Sequence, residues 1–303
     1  MGERESAMLV DTHLHIIDKS RLSYPWLAEV PALDRDFLYA EYKRQALRAG
    51  ISDAIHMEVD AAPDRIEAEI DFAGEQSRQP GSLIRGCIAA CRPEEPRFSA
   101  LVEKYTADPF VLGFRRLINP LPDGVSDSSI FVENIRRLSG TRLTFDAHVH
   151  GHQLPRAIGL ADAAPQVRLI LDHCGVPDIR GGDFSVWREG IADIARRENV
   201  TAKISGIIAY ADPDNWTVET LRPYVEHIIE SFGWNRVVWG SDWPVCTLGG
   251  GLLAWTSATH ALLSGCANEE REKLFWRNAD RIWKLGLGAS LTHPTDPEAT
   301  QSP

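Results

Sequence analysis

Eight short apolar runs, each followed by an amphipathic stretch, recur from end to end of this 303-residue chain. The runs cover 7–15, 53–59, 82–90, 111–119, 142–150, 167–175, 200–207 and 236–244. They are apolar almost throughout rather than alternating, which is the pattern of strands covered on both faces in a parallel sheet. The stretches that follow read as helices over 34–49, 63–78, 96–107, 130–138, 155–164, 184–198 and 218–232, with two more near 251–264 and 268–285. In the first, Phe37, Leu38, Tyr42, Ala46 and Leu47 read as one face and Gly50 as the stop. Pro63 suits a first helical turn. Eight strand–helix units are the number that closes a (β/α)8 barrel. An open doubly wound sheet is the alternative, and no GxGxxG follows the first strand to support a dinucleotide-binding version. No Ser/Gly/Pro-rich tract interrupts 7–286, so a single α/β domain is expected: one (β/α)8 TIM barrel with an extra C-terminal helix. Residues 1–6 read as an N-terminal tail and 287–303 as a polar, disordered one.

Composition excludes several functions. Acidic residues outnumber basic ones 43 to 32, a net charge of −11. That argues against nucleic acid, whose backbone needs a basic face, and against an anionic membrane surface. No apolar run reaches the ~18 residues of a membrane span. The five cysteines are odd in number and irregularly spaced, so no disulfide framework is implied and a cytoplasmic location is expected. A small molecule is the expected partner; the sequence leaves the oligomeric state open, a homodimer among the options.

Barrel enzymes place their chemistry at the C-terminal ends of the strands. Polar residues gather there: His13 and His15 on strand one, Glu58 on two, and Arg115 and Arg116 on four. Strand five ends in Asp146, His148 and His150, with His152 just beyond; strand six ends in Asp172 and His173. Strand seven carries Lys203 and Ser205, and strand eight ends in Ser241 and Asp242. Ten histidines scattered at random would form about 0.3 HxH pairs by composition arithmetic. The chain has three, at 13/15, 148/150 and 150/152. Two residues apart on a strand, such pairs share a face. Imidazoles from strands one and six with a carboxylate from strand eight can ring a divalent metal, or orient a water without one. Arg116 faces away from Arg115 and reads as structural. Asp172, on the opposite face from His173, reads as an anchor outside the barrel.

The motifs DTHLH, LDHCG and WGSDWP resemble the amidohydrolase superfamily. Tyr24-Pro25-Trp26, RDFL, GFRR, HQLP, LDHCGVPDI, AKISGI and GSDWPVC, in that order, resemble its sugar-lactonase branch, that of L-fuconolactonase-like and L-rhamnonolactonase-like enzymes. Dicarboxylate lactonases and sulfomuconolactone hydrolases belong to the same wider group. The resemblance spans roughly 8–286 and implies a barrel that hydrolyses a lactone. It implies Asp242 as the water-activating aspartate, His13, His15 and His173 as its catalytic partners, and Arg115 as a substrate-facing arginine. The same four residues, His13, His15, His173 and Asp242, are the implied ligands if a divalent ion such as zinc or manganese is used; lactonases of this group need not use one.

Three positions depart from similar sequences: His56 with Glu58 on strand two, His148 on strand five, and His150. Together with Arg115, His152, and Tyr24 and Trp26 as a loop wall, Glu58, His148 and His150 are the expected substrate contacts. Only Arg115, with Arg116 at most, is available for an anionic lactone, which favours a neutral sugar-derived one. The rivals are a dicarboxylate-lactone hydrolase, a metal-dependent decarboxylase of the same superfamily, and a non-catalytic binding barrel.

Overall fold

The computed structural model describes residues 8–182 and 184–287. Both tails expected from the sequence lie outside them, except Leu287, which is buried. The strands are β1 Val10–Leu14, β2 Asp53–Met57, β3 Ile84–Ala90, β4 Val111–Leu117, β5 Thr144–His148, β6 Leu169–Leu171, β7 Val200–Ser205 and β8 Val237–Gly240. Each pairs with the next in parallel, in strict sequence order. β8 returns to β1: Asp242 N–H donates to His13 O at 2.9 Å and His15 N–H to Trp243 O at 2.8 Å. The sheet thus closes as the eightfold count requires.

The helices are α1 Tyr39–Ala49, α2 Ile66–Ser77, α3 Phe98–Thr106, α4 Ser129–Arg136, α5 Leu154–Ala163, α6 Phe184–Ile194, α7 Val218–Phe232, α8 Leu252–Leu262, α9 Asn268–Glu272 and α10 Asn278–Trp283. Gly50 ends α1 at φ +80, where its N–H reaches the last carbonyls. The buried face of α1 is Tyr39, Tyr42 and Ala46; Leu38 and Leu47, expected on it, are 44% and 59% exposed. At 100° per residue Leu47 lies a quarter turn past Ala46, off the stripe that meets the sheet.

Most buried apolar side chains form one layer between strands and helices. A second cluster gathers Val10, Ile55, Ile88, Ile170 and Val238 against Trp276, Ile282 and Trp283. α10 reaches the strand starts: Trp283 Nε1 donates to Thr144 Oγ1 at 3.2 Å and Asn278 Nδ2 to Val237 O at 2.8 Å. The extra C-terminal helix therefore closes the N-terminal end of the barrel, leaving the other end for loops.

Candidate active site

A buried carboxylate first fixes the seam between β1 and β8. Asp11 Oδ1 accepts from Ser241 N–H at 2.7 Å and His13 N–H at 3.0 Å, and Oδ2 from the Tyr42 hydroxyl of α1 at 2.8 Å. β1 changes register between Asp11 and Leu14. Asp11 thereby faces α1, while the His13 ring reaches the barrel interior and contacts the His173 ring at 4.4 Å. Asp242 follows β8 at φ +57. Gly206, after β7, faces it so closely that an added Cβ would sit 2.3 Å from Asp242 Cβ. Only glycine fits there.

Around Asp242 the expected residues converge. His15 Nε2 lies 3.3 Å from Asp242 Oδ1, His13 Nε2 3.8 Å from the same oxygen, and His173 Nδ1 3.7 Å from Oδ2. Burial pushes the Asp242 carboxyl up to about 6, against the pull of His173 and Arg115. Burial lowers His15 to about 3, with Arg115 adding to the effect, and lowers His173 to about 4. His13 is held well below its ordinary value by burial and then by Lys203. The histidines are neutral at pH 7, so each offers one lone pair. His15 Nδ1 faces the Met57 carbonyl at 3.1 Å and must donate to it, which leaves Nε2 bare toward Asp242.

Beneath this layer sits a network with no assigned role in the sequence. Lys203, fully buried, bonds Asp146 at 2.7 Å and Asp172 at 3.0 Å, and its Nζ lies 3.2 Å from His13 Nδ1. Asp172 is a correction: it lies inside the barrel, not outside. The alternation that put it outside fails because β6 ends at Leu171 and His173 and Cys174 take left-handed conformations, φ +49 and +55. Burial works to raise the Asp172 carboxyl, but Lys203 and then His13 outweigh it and hold it well below the usual range. Asp172 Oδ1, 3.5 Å from His13 Nδ1, fits a tautomer that leaves His13 Nε2 as the acceptor for Arg115 Nη1 at 3.2 Å.

The pocket above has a volume of about 350 Å³ and is lined by His15, Trp26, Arg115, His148, His173 and Asp242, joined by Asp60, Asn119 and Tyr210. Trp26 is the expected loop wall, tied by its indole N–H to Val59 O at 2.8 Å. His148 Nδ1 lies 2.9 Å from Asn119 Oδ1. Other expected contacts fall elsewhere. Tyr24 is buried in the apolar layer and does not line the pocket, because the chain turns between it and Trp26. Glu58 also stands behind the wall: Oε1 takes Arg115 Nε at 2.5 Å and Oε2 the Asp60 N–H at 2.7 Å, so it holds the arginine instead of facing the pocket. His150 and His152 border a neighbouring cavity. His56 is buried with neither ring nitrogen hydrogen-bonded among the described residues, and it lies outside the pocket lining. Arg116 pairs with Glu94, as its opposite orientation predicts. Asn119 stands last in the fourth apolar run, a strand-end position that could have marked it, whereas Tyr210 lies outside every run and had no sequence signal. Lys203 had one, a lysine within an apolar strand.

His13, His15 and Asp242 bring one nitrogen, one nitrogen and one oxygen within 4.8 Å of one another, and His13, Asp172 and His173 form a second such group. Nitrogen and carboxylate donors suit a divalent cation, and the bare His15 Nε2 facing a carboxylate oxygen is an arrangement that a cation satisfies. The first group fits an ion on these grounds. Arg115 holds the His13 Nε2 lone pair that an ion would use, so the two compete.

A (β/α)8 barrel with neutral histidines and a high-pKa aspartate at its strand ends defines an enzyme equipped for acid–base chemistry on a small molecule. The chain belongs to the amidohydrolase family, whose model matches residues 10–285. An L-fucono-1,5-lactonase of Burkholderia ambifaria is 26% identical over 94% of this chain and 98% of its own. A 4-sulfomuconolactone hydrolase of Rhizobium radiobacter is 24% identical over 77% of this chain and 75% of its own. Among solved structures, an amidohydrolase from Burkholderia multivorans with bound zinc superposes with a TM-score of 0.82 at 23% identity, covering 92% of this chain and 99% of that one. No helix among the described residues is long and apolar enough to cross a membrane.

Proposed function

We propose that this amidohydrolase opens a lactone, and that the lactone is a neutral, hydroxylated one of the sugar-derived kind. One observation carries the choice: the pocket holds a buried aspartate of raised pKa, and its single arginine is already neutralised by Glu58. A sulfonated or dicarboxylate lactone would bring an anion to a site with no unpaired cation in its lining. Imidazoles, Asn119 and the Tyr210 phenol supply instead the neutral donors and acceptors that hydroxyl groups need.

In this mechanism Asp242 accepts a proton from the attacking water, which His173 and His15 hold. The water oxygen bonds to the lactone carbonyl carbon, and the oxyanion that forms transiently accepts a hydrogen bond from the one Arg115 Nη1 hydrogen not directed at His13, although the charge of Arg115 is balanced by Glu58. The bond to the ring oxygen then breaks, and Asp242 returns its proton to that oxygen as it leaves. Burial and Lys203 keep His13 neutral, and Asp172 on its other side favours the orientation with Nε2 toward Arg115. If an ion such as zinc or manganese is used, His13, His15 and Asp242 would hold it, with His173 beside them, and it would supply Lewis-acid polarisation of the carbonyl. Trp26 and His148 wall the lactone ring, and His150 and His152 lie at its outer side.

The test is proton release from matched panels of aldonolactones and anionic lactones, with metal-free and metal-supplied enzyme and Asp242→Asn as control. Ring opening of neutral lactones, lost in the variant, is expected. Preference for the anionic panel would overturn the substrate class, and CO2 release without ring opening would replace hydrolysis by decarboxylation.

A further inference from the structure

One histidine of the catalytic pocket has a nitrogen that the chemistry above leaves unused. His148 ends β5 and lines the pocket beside His173, their ring centroids 5.3 Å apart. Its Nδ1 is held from behind by Asn119, whose Oδ1 lies 2.9 Å away. The Asn119 backbone is fixed on both sides: its N–H donates to His148 O at 3.2 Å, and its carbonyl accepts from Gln153 Nε2 at 3.2 Å. The Asn119 amide nitrogen turns the other way, to His150 Nε2 at 3.4 Å. The His148 ring also bonds its own backbone carbonyl, which only Nδ1 is near enough to reach. Both oxygens beside Nδ1 accept, so Nδ1 carries the hydrogen and Nε2 the lone pair.

That lone pair meets no protein donor among the described residues, and it is not sealed in the core. His56 is the contrast, with both ring nitrogens partnerless, buried and away from the pocket. An imidazole whose far nitrogen is bound and whose near nitrogen is bare is a fixed acceptor, and it selects a donor on the ligand. A hydroxyl is that donor. The strongest charge felt at His148 is that of the Arg115 cation, which an ammonium group would have to approach. The position of the ring settles which hydroxyl. In the proposed mechanism the ring oxygen of the lactone faces Asp242, which returns a proton to it. The carbon on the other side of the carbonyl then lies away from Asp242, past His173, where His148 stands.

We infer that His148, oriented by Asn119, is a specificity residue that accepts a hydrogen bond from a hydroxyl on the carbon next to the lactone carbonyl, so that the substrate is an α-hydroxy lactone. The inference rests on the lactonase reading above and narrows its substrate. The experiment compares two lactones that differ only in that hydroxyl. Wild-type enzyme should open the hydroxylated one with kcat/KM about tenfold or more above the deoxy one, the scale of a hydrogen bond whose protein partner is otherwise left bare. His148→Phe keeps the bulk of the ring without the acceptor and should lower that ratio about tenfold. His148→Gln, whose amide oxygen can stand where Nε2 does, should keep most of it. Equal values in wild type, or a ratio unchanged in His148→Phe, would overturn the inference. Nitrogen NMR of the imidazole reads the tautomer with no lactone present. Nδ1–H is expected in wild type and a mixture in Asn119→Leu; Nε2–H in wild type would overturn the assignment. If neither lactone is opened, the lactonase reading fails and calorimetry on the same pair decides the rest. Tighter binding of the hydroxylated lactone, lost in His148→Phe, supports hydroxyl recognition by His148; equal binding, or none, overturns it.

Discussion

The two ends of the barrel use the same residue types in opposite ways. At the closed end, Arg142, Arg168 and Arg236 donate to backbone carbonyls, as in Arg142 to Val111 O at 2.6 Å and Arg236 to Val200 O at 3.0 Å. Trp276, Ile282 and Trp283 of the C-terminal segment cover the strand starts. At the open end, Arg115 is placed against a histidine and a carboxylate, and the backbone takes positive φ at Asp60, His173, Cys174, Val176 and Asp242, against Lys284 at the closed end. One end satisfies its polar groups and buries apolar surface; the other holds charges and strained backbone where a substrate can reach them. Stability and chemistry are thereby divided along one axis of the fold.

Asp242→Asn should separate the ends most sharply. Turnover should fall by ~10²–10⁴-fold, as for removal of a positioned acid–base group. The same variant should melt at a higher temperature at pH 7. Because the folded pKa of about 6 lies above the ordinary 3.8, the folded state holds the proton more tightly across that interval. Stability then falls as pH rises through it, and an amide abolishes the loss. A variant that lost both activity and stability would break the division.

Trp283→Ala attacks the closed end. It should cost ~3–5 kcal/mol in denaturant unfolding, the usual range for a buried tryptophan, while kcat/KM of the protein that remains folded stays within about twofold. A kinetic defect without a stability defect would show that the closed end reaches the chemistry. A pH profile sharpens the open end. kcat/KM should drop about tenfold per unit below pH 6 as Asp242 takes up its proton, and the histidines should add no limb between 6 and 8 because burial keeps them neutral. The smallest effect belongs to Tyr24→Phe: less than about twofold in kcat/KM and no loss of stability, since the buried hydroxyl has no hydrogen-bond partner among the described residues to lose. A large kinetic effect would return Tyr24 to the site.

Much of the site was legible one strand at a time. His13, His15, His173, Arg115 and Asp242 each stand at or near a strand end, and barrel geometry brings strand ends together. The errors came where a regular period was extended through an irregular segment. Alternation continued two residues past the end of β6 puts Asp172 outside the barrel, where the structure does not. Tyr24 was grouped with Trp26 because they are neighbours in sequence, although a 3₁₀ turn sends one to the core and the other to the pocket. Glu58 was assigned to substrate because nothing in the chain shows that Arg115, 57 residues away, claims it first.

The eightfold period, the parallel sheet and the end of the barrel that carries the candidate site were legible in the sequence alone. They follow from hydrophobic periodicity and the chirality of strand–helix units, which are local and repeat. The protonation states, the Lys203–Asp146–Asp172 support and the cavity beside the pocket were decided only by tertiary structure. Each depends on burial and on distances of a few ångströms between groups from different strands and loops, which no period along the chain encodes.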